Sequence, residues 1–245
     1  MSNENKVAIV TGGSRGIGAA IAERLASDGF TVVVNYAGSA GEAEALVAKI
    51  EAAGGKAIPA RADVSDAGSV ARMFDAAEAA FGGVDVVVNN AGIMKLAPIA
   101  ESDDALFDSQ VAVNLKGTFN VLRQAAKTLR TGGRIINLSS SVVGLLQPGY
   151  GVYAGTKAAV EAMTHVLSKE LRGRNITVNA VAPGPTATAL FLNGKPQELV
   201  DTIAKLAPLE RLGQPEDIAG AIAFLAGPDG AWINGQVLRA NGGII

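Results

Sequence analysis

The sequence predicts an α/β domain built on one doubly wound, mostly parallel seven-stranded sheet with helices on both faces. Three observations carry that expectation. Short β-branched runs alternate with alanine-rich helical stretches along all 245 residues. The runs are continuously apolar, as strands covered on both faces require, whereas a half-exposed strand would alternate. No run of proline, serine or charge divides the chain, so the alternation belongs to a single domain over residues 1–245.

The elements follow in order. Residues 7–11 form the first strand, and a glycine-rich turn leads into a helix over 17–28. A strand at 31–35 precedes a helix at 41–53, and a strand at 57–60 precedes a helix at 67–81. The fourth strand, 84–89, is followed by one long helical pattern over 103–129. A strand at 134–139 leads to a helix over 153–171, and strand 176–182 comes before helix 216–226 and a last strand, 236–239. Repeated strand–helix–strand units imply right-handed crossovers. Between Pro183 and Pro208 the pattern breaks, with four prolines, two glycines and an amphipathic piece over 198–206. Open α/β sheets carry substrate-covering loops at the carboxyl ends of their strands, so a lid is expected at about residues 185–208.

Composition removes whole classes of chemistry. The charge sum of 21 basic and 23 acidic residues, −2, draws the protein toward neither nucleic acid nor an anionic membrane. No cysteine is present, which excludes disulfides, thiolate nucleophiles, zinc fingers and cysteine-ligated iron–sulfur clusters. One histidine, His165, excludes multi-histidine metal sites, and no metal is expected. An acid or base is therefore expected from another residue type. The polar start and the absence of any long apolar run argue against a secretory leader or a membrane span, so a cytoplasmic protein is expected. Glycine is in surplus, 30 residues, or about 12% where about 7% is usual.

The surplus has an address in Thr11-Gly-Gly-Ser-Arg-Gly-Ile-Gly18, between the first strand and the first helix. Gly12, Gly16 and Gly18 let the chain turn sharply and bring backbone and helix amino terminus close to an anion such as a diphosphate. The spacing is G-x-x-x-G-x-G rather than the commoner G-x-G-x-x-G.

This T-G-x-x-x-G-x-G loop resembles the cofactor loop of the short-chain dehydrogenase/reductase superfamily. Five further segments in the same order are similar to motifs of that family. They are Asn89-Asn-Ala-Gly92, Asn114 within Val113-Asn-Leu-Lys-Gly117, Ser140, Tyr153-x-x-x-Lys157, and Pro183-Gly184 with Thr188. The tail from Gly235 to Gly243 looks most like reductases similar to the fungal naphthol reductases and 3-oxoacyl-carrier-protein reductases. The resemblance spans nearly the whole chain. It implies a Rossmann-type fold, a nicotinamide dinucleotide cofactor and a homotetramer in which the 153–171 helix, apolar nearly all round, is buried between subunits. His165, off the face of Lys157, is taken as structural.

The resemblance also assigns roles. With histidine and cysteine unavailable, Tyr153 is the candidate general acid and base, and it is the only one of three tyrosines with a lysine four residues on. A phenol titrates near pH 10, and the charge of Lys157 on the same helix face, with that of an oxidised nicotinamide, is expected to favour phenolate, for which reaching neutrality takes roughly 4 kcal/mol. Ser140 is assigned to the substrate oxygen, with Ser141 an alternative when the chain is aligned on S-x-x-G. Asn114 resembles the residue that holds a water linking Lys157 to solvent. Implied cofactor contacts are Ser14, Arg15 and Ile17 with the three loop glycines, and Asn35, Tyr36, Ala37 and Ser39 at the end of the second strand. Asp63 and Val64 fall at the adenine, and Asn90, Ala91 and Gly92 at the ribose. Tyr153 and Lys157 also contact the cofactor, and Pro183, Gly184, Thr186 and Thr188 frame the nicotinamide.

An NAD-preferring site needs a carboxylate at the end of the second strand. Tyr36 stands there, no acid occurs until Glu42, and Arg15 adds positive charge, so NADP(H) is expected. Three functions remain open. They are an NADPH-dependent carbonyl reductase, an oxidative sugar or alcohol dehydrogenase, and a non-catalytic NADP-binding regulator, against which the complete Asn, Ser, Tyr and Lys set counts. The lid leucines favour an apolar or aromatic substrate.

Overall fold

A computed structural model of the chain describes residues 6–245. The expectation drawn from the polar start, that no secretory leader begins the chain, falls mainly on residues 1–5 and lies outside the described residues. The first half alternates strand and helix: β1 (Val7–Val10), α1 (Gly16–Ser27), β2 (Thr31–Tyr36), α2 (Ala40–Ala52), β3 (Lys56–Arg61), α3 (Ala67–Phe81) and β4 (Val86–Asn89). A longer helical stretch then contains α4 (Asp104–Gln110) and α5 (Thr118–Thr128). The second half holds β5 (Arg134–Leu138), α6 (Val142–Leu145), α7 (Gly151–Glu170), β6 (Thr177–Pro183), α8 (Ala189–Leu192), α9 (Gln197–Ala204), α10 (Pro215–Ala226) and β7 (Val237–Ala240).

All seven strands lie parallel in one sheet of order β3-β2-β1-β4-β5-β6-β7. Because side chains alternate across a strand, β1 feeds two cores. Ala8 and Val10 pack with Ile21, Leu25, Leu46 and Ile222 of α1, α2 and α10. Val7 and Ile9 pack with Met73, Phe74, Val121 and Leu167 of α3, α5 and α7. Winding outward from β1 to β3 and then returning to β4 leaves a crevice at the carboxyl ends of β1 and β4. Open α/β sheets bind ligands at such a switch point.

Three expectations need correction. The strands are not all covered: β3 alternates between buried and open positions, and β7 has no buried residue. Both are edge strands, with a neighbour on one side only. The helix expected over 103–129 is also not uniform, because Val111–Gly117 between α4 and α5 is a π-helical segment. Finally, α7 buries one face within the chain, through Ala154, Lys157, Val160, Thr164 and Leu167. Gly155, Ala158, Ala162, His165 and Val166 lie exposed on its outer side, so His165 packs into no core of this chain. Among the described residues, no helix is long and apolar enough to cross a membrane.

Candidate active site

The glycine loop and the Asn89–Gly92 turn lie side by side at the crevice, and they are stitched together. The Thr11 hydroxyl accepts hydrogen bonds from the backbone N–H groups of Asn90 (2.9 Å) and Ala91 (3.0 Å). In return the Asn90 amide donates to the carbonyls of Thr11 (2.9 Å) and Gly12 (3.1 Å). Gly18 is required by contact: a Cβ there would fall 2.2 Å from the Gly12 carbonyl oxygen and 2.6 Å from Asn90 Nδ2. Gly12 and Gly16 adopt positive φ, 59° and 55°, a region that only glycine enters readily. No side chain caps α1, which keeps its first N–H groups available to an anion.

Asn35 lies beneath this loop, not beside the crevice. It is 1% exposed; its oxygen accepts from Gly12 N–H at 3.1 Å, and its amide donates to Ala60 and Ala62 at 3.1 and 3.0 Å. That inward commitment props the loop. Tyr36, Ala37 and Ser39 follow at the open end of β2, and Ser39 heads α2 without its side chain capping it. Arg15 is exposed, and no ion pair engages it among the described residues. Sequence reasoning missed Arg61, whose signal was simply its register: it pairs with Tyr36 across β2 and β3, and its Nε donates to Ala37 at 3.4 Å. Asp63 binds the backbone and hydroxyl of Ser65, while Val64 is buried against Gly117.

The π-helical segment explains how Asn114 arrives. Asn114 is fully buried; its oxygen accepts from Ile93 N–H and its amide donates to Ile93 C=O, both at 2.9 Å. Gln110, four residues earlier, grips Lys95 in the same two-way manner. Together they hold the loop leaving Gly92. A Cβ on Gly92 would lie 3.3 Å from Asn114 Oδ1 and 3.7 Å from Lys157 Nζ. The missing side chain therefore leaves the gap between those two groups open. Insertions of this kind are frequent at functional sites.

Three serines end β5, and alternation gives each a different direction. Ser139 is buried and its hydroxyl donates to Glu161 at 2.6 Å. Ser141 is also buried and donates to the Ala182 carbonyl at 3.1 Å. Ser140 is only partly buried, lines the cavity with Tyr153, and acts to lower the Tyr153 phenol. The Ser139 and Ser141 hydroxyls are thus committed to partners in the fold, while Ser140 is the more open of the three. Pro183, Gly184, Thr186 and Thr188 form the opposite lip, and the Thr188 methyl lies 3.5 Å from where a Gly16 Cβ would sit.

These groups enclose a cavity of about 180 Å³. Ile17, Asn90, Gly92, Ser140, Tyr153, Lys157 and Thr188 line its polar side. Met94, Leu145, Leu190, Phe191, Ile203 and Leu206 make the remainder apolar. The last four come from the region expected to form a lid, which folds into α8 and α9.

Within the chain itself, burial dominates the electrostatics of Tyr153. Burial pushes the Tyr153 phenol up to about 12, against the lowering effect of its Ser140 hydrogen bond, and the neighbouring Tyr150 raises it further. Lys157 is 5% exposed, and burial lowers its ammonium to about 8. Its Nζ donates to the Leu138 carbonyl at 2.7 Å and lies 5.8 Å from the Tyr153 ring centre. Removal from water outweighs the attraction of a lysine whose own charge is disfavoured.

Lys157 makes stability depend on pH. Below pH 8 both folded and unfolded chains hold its proton and the burial penalty is present in full. Between about 8 and about 10.5 the unfolded chain holds more protons, so the Lys157 contribution to stability rises with pH. Urea unfolding at pH 7 and at about pH 9.5 should show the wild type gaining stability relative to Lys157→Met at the higher pH. An unchanged difference would contradict the assignment.

The comparisons with known proteins agree with this geometry. A family model described as enoyl-(acyl carrier protein) reductase matches residues 12–245. A short-chain type dehydrogenase/reductase of Picea abies is 47% identical over 248 residues, covering 97% of this chain and 92% of that protein. An NADPH-dependent aldehyde reductase-like protein, chloroplastic, of Arabidopsis thaliana is 46% identical over 254 residues, covering 98% and 94%. A crystal structure of a short-chain dehydrogenase from Burkholderia cenocepacia in complex with NADP is similar, with a TM-score of 0.94 at 38% identity, covering 100% of this chain and 99% of that one. With the glycine cradle, the buried asparagine and the Ser140–Tyr153–Lys157 cluster in place, the chain belongs to the short-chain dehydrogenase/reductase superfamily and is an oxidoreductase.

Proposed function

We propose that this chain is an NADPH-dependent carbonyl reductase acting on an apolar or aromatic aldehyde or ketone, with Tyr153 as the proton donor. The observation that carries this reading is that Ser140, Tyr153 and Lys157 line one cavity together with Asn90 and Gly92 on one side and the apolar Leu190, Phe191 and Leu206 on the other. The loop fits a dinucleotide: the α1 terminus has no side-chain cap, so its first N–H groups are available to a diphosphate. When bound, the nicotinamide supplies hydride. Ser140 donates to the carbonyl oxygen, where negative charge develops. Tyr153 stays protonated at neutral pH because of its burial, which suits an acid that must hand a proton to that oxygen. The cation of Lys157 stabilises the phenolate left behind, and the gap over Gly92 between Lys157 and Asn114 gives the returning proton a route.

The adenosine end supports NADPH. No carboxylate closes β2, Arg61 pairs with Tyr36 across β2 and β3, and Arg15 stands exposed at the head of α1; these guanidinium groups would hold a ribose 2′-phosphate by charge-assisted hydrogen bonds. The Arabidopsis relative is named NADPH-dependent, and the Burkholderia structure was solved with NADP. Leu190, Phe191, Ile203 and Leu206 form the movable wall of the substrate site, with α8 and α9 as its lid.

The test is loss of NADPH absorbance with a panel of aldehydes, quinones, diketones and 3-oxoacyl thioesters. Turnover with at least one apolar member is expected, with kcat/KM for NADPH at least tenfold above that for NADH. Arg15→Ala should cut this preference by about tenfold, equivalent to about 1.4 kcal/mol. Equal or better use of NADH contradicts the cofactor assignment.

The outer face of α7, with Gly155, Ala158, Ala162 and Val166, adjoins exposed Phe119 of α5 and supplies small residues for close helix packing. We take this face as the contact between copies in a homotetramer. Light scattering should give about 99 kDa, four copies of 24.8 kDa, and a monomer mass contradicts it.

A further inference from the structure

We propose that Glu161 is a positioning residue of the reaction centre, holding Ser140 in register with Tyr153 through its hydrogen bond with Ser139. The proposal rests on the catalytic reading of Ser140 and Tyr153 given above.

The argument starts from how two elements that share one site are kept aligned. Ser140 sits at the end of β5, while Tyr153 and Lys157 sit on α7. Their reacting groups meet only if the strand end neither slides nor turns against the helix, and a shift of about 1 Å can cost on the order of 10²-fold in rate. Apolar packing between α7 and the sheet resists separation but has little direction. Polar ties supply direction, and three side chains of α7 meet this strand end, the first being Thr164, whose hydroxyl accepts from the Asn137 amide at 2.9 Å.

The Lys157 ammonium donates to the Leu138 carbonyl at 2.7 Å. One helical turn later, the Glu161 carboxylate accepts from the Ser139 hydroxyl at 2.6 Å. Consecutive residues of the strand are thus gripped by side chains four apart on one helix face. The Thr164 and Lys157 ties stop at Asn137 and Leu138, and the Glu161 tie is the one that reaches the residue adjoining Ser140.

The remaining bonds of the segment do not replace this tie. Ser139 N–H donates to Val181 (2.8 Å) and Ser141 N–H to Pro183 (2.9 Å), which fixes the segment to β6 and not to α7. The Ser139 hydroxyl has one other neighbour of suitable kind, the Lys157 backbone carbonyl at 3.5 Å, a poorly placed acceptor. The Ser139–Glu161 bond is short and carries a charge, the stronger class of hydrogen bond. Removing the carboxylate would leave a buried hydroxyl to turn toward a worse partner and carry Ser140 with it.

The test is a double-mutant cycle read in kcat, KM and structure. Glu161→Ala and Ser139→Ala should each lower kcat by about tenfold or more while the Kd for NADPH, measured by fluorescence, stays within about twofold. The double variant should be no worse than the weaker single, because both remove one bond. Glu161→Gln should recover most of kcat, since its amide oxygen still accepts from Ser139. A merely structural glutamate would lower the melting temperature and leave kcat unchanged, and that result overturns the proposal. Crystal structures of Glu161→Ala and the wild type give a readout independent of any substrate. The separation of Ser140 Oγ from Tyr153 Oη should increase in the variant, and an unchanged separation overturns the proposal. If the wild type reduces no carbonyl while that separation does increase, the functional reading fails and the positioning role stands.

Discussion

The arrangement depends on a lysine that has been taken out of water. Lys157 is almost wholly enclosed, and burial lowers its ammonium to about 8. A buried cation needs acceptors, and the first is the Leu138 carbonyl at the end of β5. That bond fixes α7 to the sheet and so sets where Tyr153 stands. The open space above Gly92, bordered by Asn114, lies on another side of the ammonium. The π-helical turn, the asparagine it delivers and the glycine opposite are therefore parts of one arrangement around a single charge.

The switch point of the sheet supplies the second half. Thr11 and Asn90 tie the ends of β1 and β4 together by reciprocal hydrogen bonds, and Gly12 and Gly18 let them approach closely. Asn35 supports the same loop from beneath. Asn35 and Asn90, both expected among the cofactor contacts, bind the loop backbone in the chain itself. Preorganising backbone N–H groups in this way costs side-chain hydrogen bonds but leaves the crevice itself free for an anion.

Much of this was legible in the sequence, and the physical reasons for the exceptions are specific. The seven strands, the glycine loop and the Tyr153–Lys157 pair are local patterns, set by apolar runs or by residues one helical turn apart. The edge character of β3 and β7 was not legible, because strand order is a property of the whole sheet. Nor was the π-helical segment, which keeps helical periodicity nearly intact over 111–117 while adding one residue's worth of rotation. Arg61 and Glu161 were missed because their partners, Ala37 and Ser139, are joined only by folding. Spacing likewise shows a lysine near Tyr153 but not that Lys157 is buried.

The consequence is a centre that favours a neutral phenol over a phenolate, which suits proton donation during carbonyl reduction. The central claim is that this phenol, and no other group, supplies the proton. The most direct measurement is turnover and NADPH binding by Tyr153→Phe, which keeps the ring and removes the hydroxyl. The account predicts a loss of kcat of about 10³-fold or more with an NADPH Kd within about twofold of wild type. Retention of more than about a tenth of wild-type turnover would contradict it.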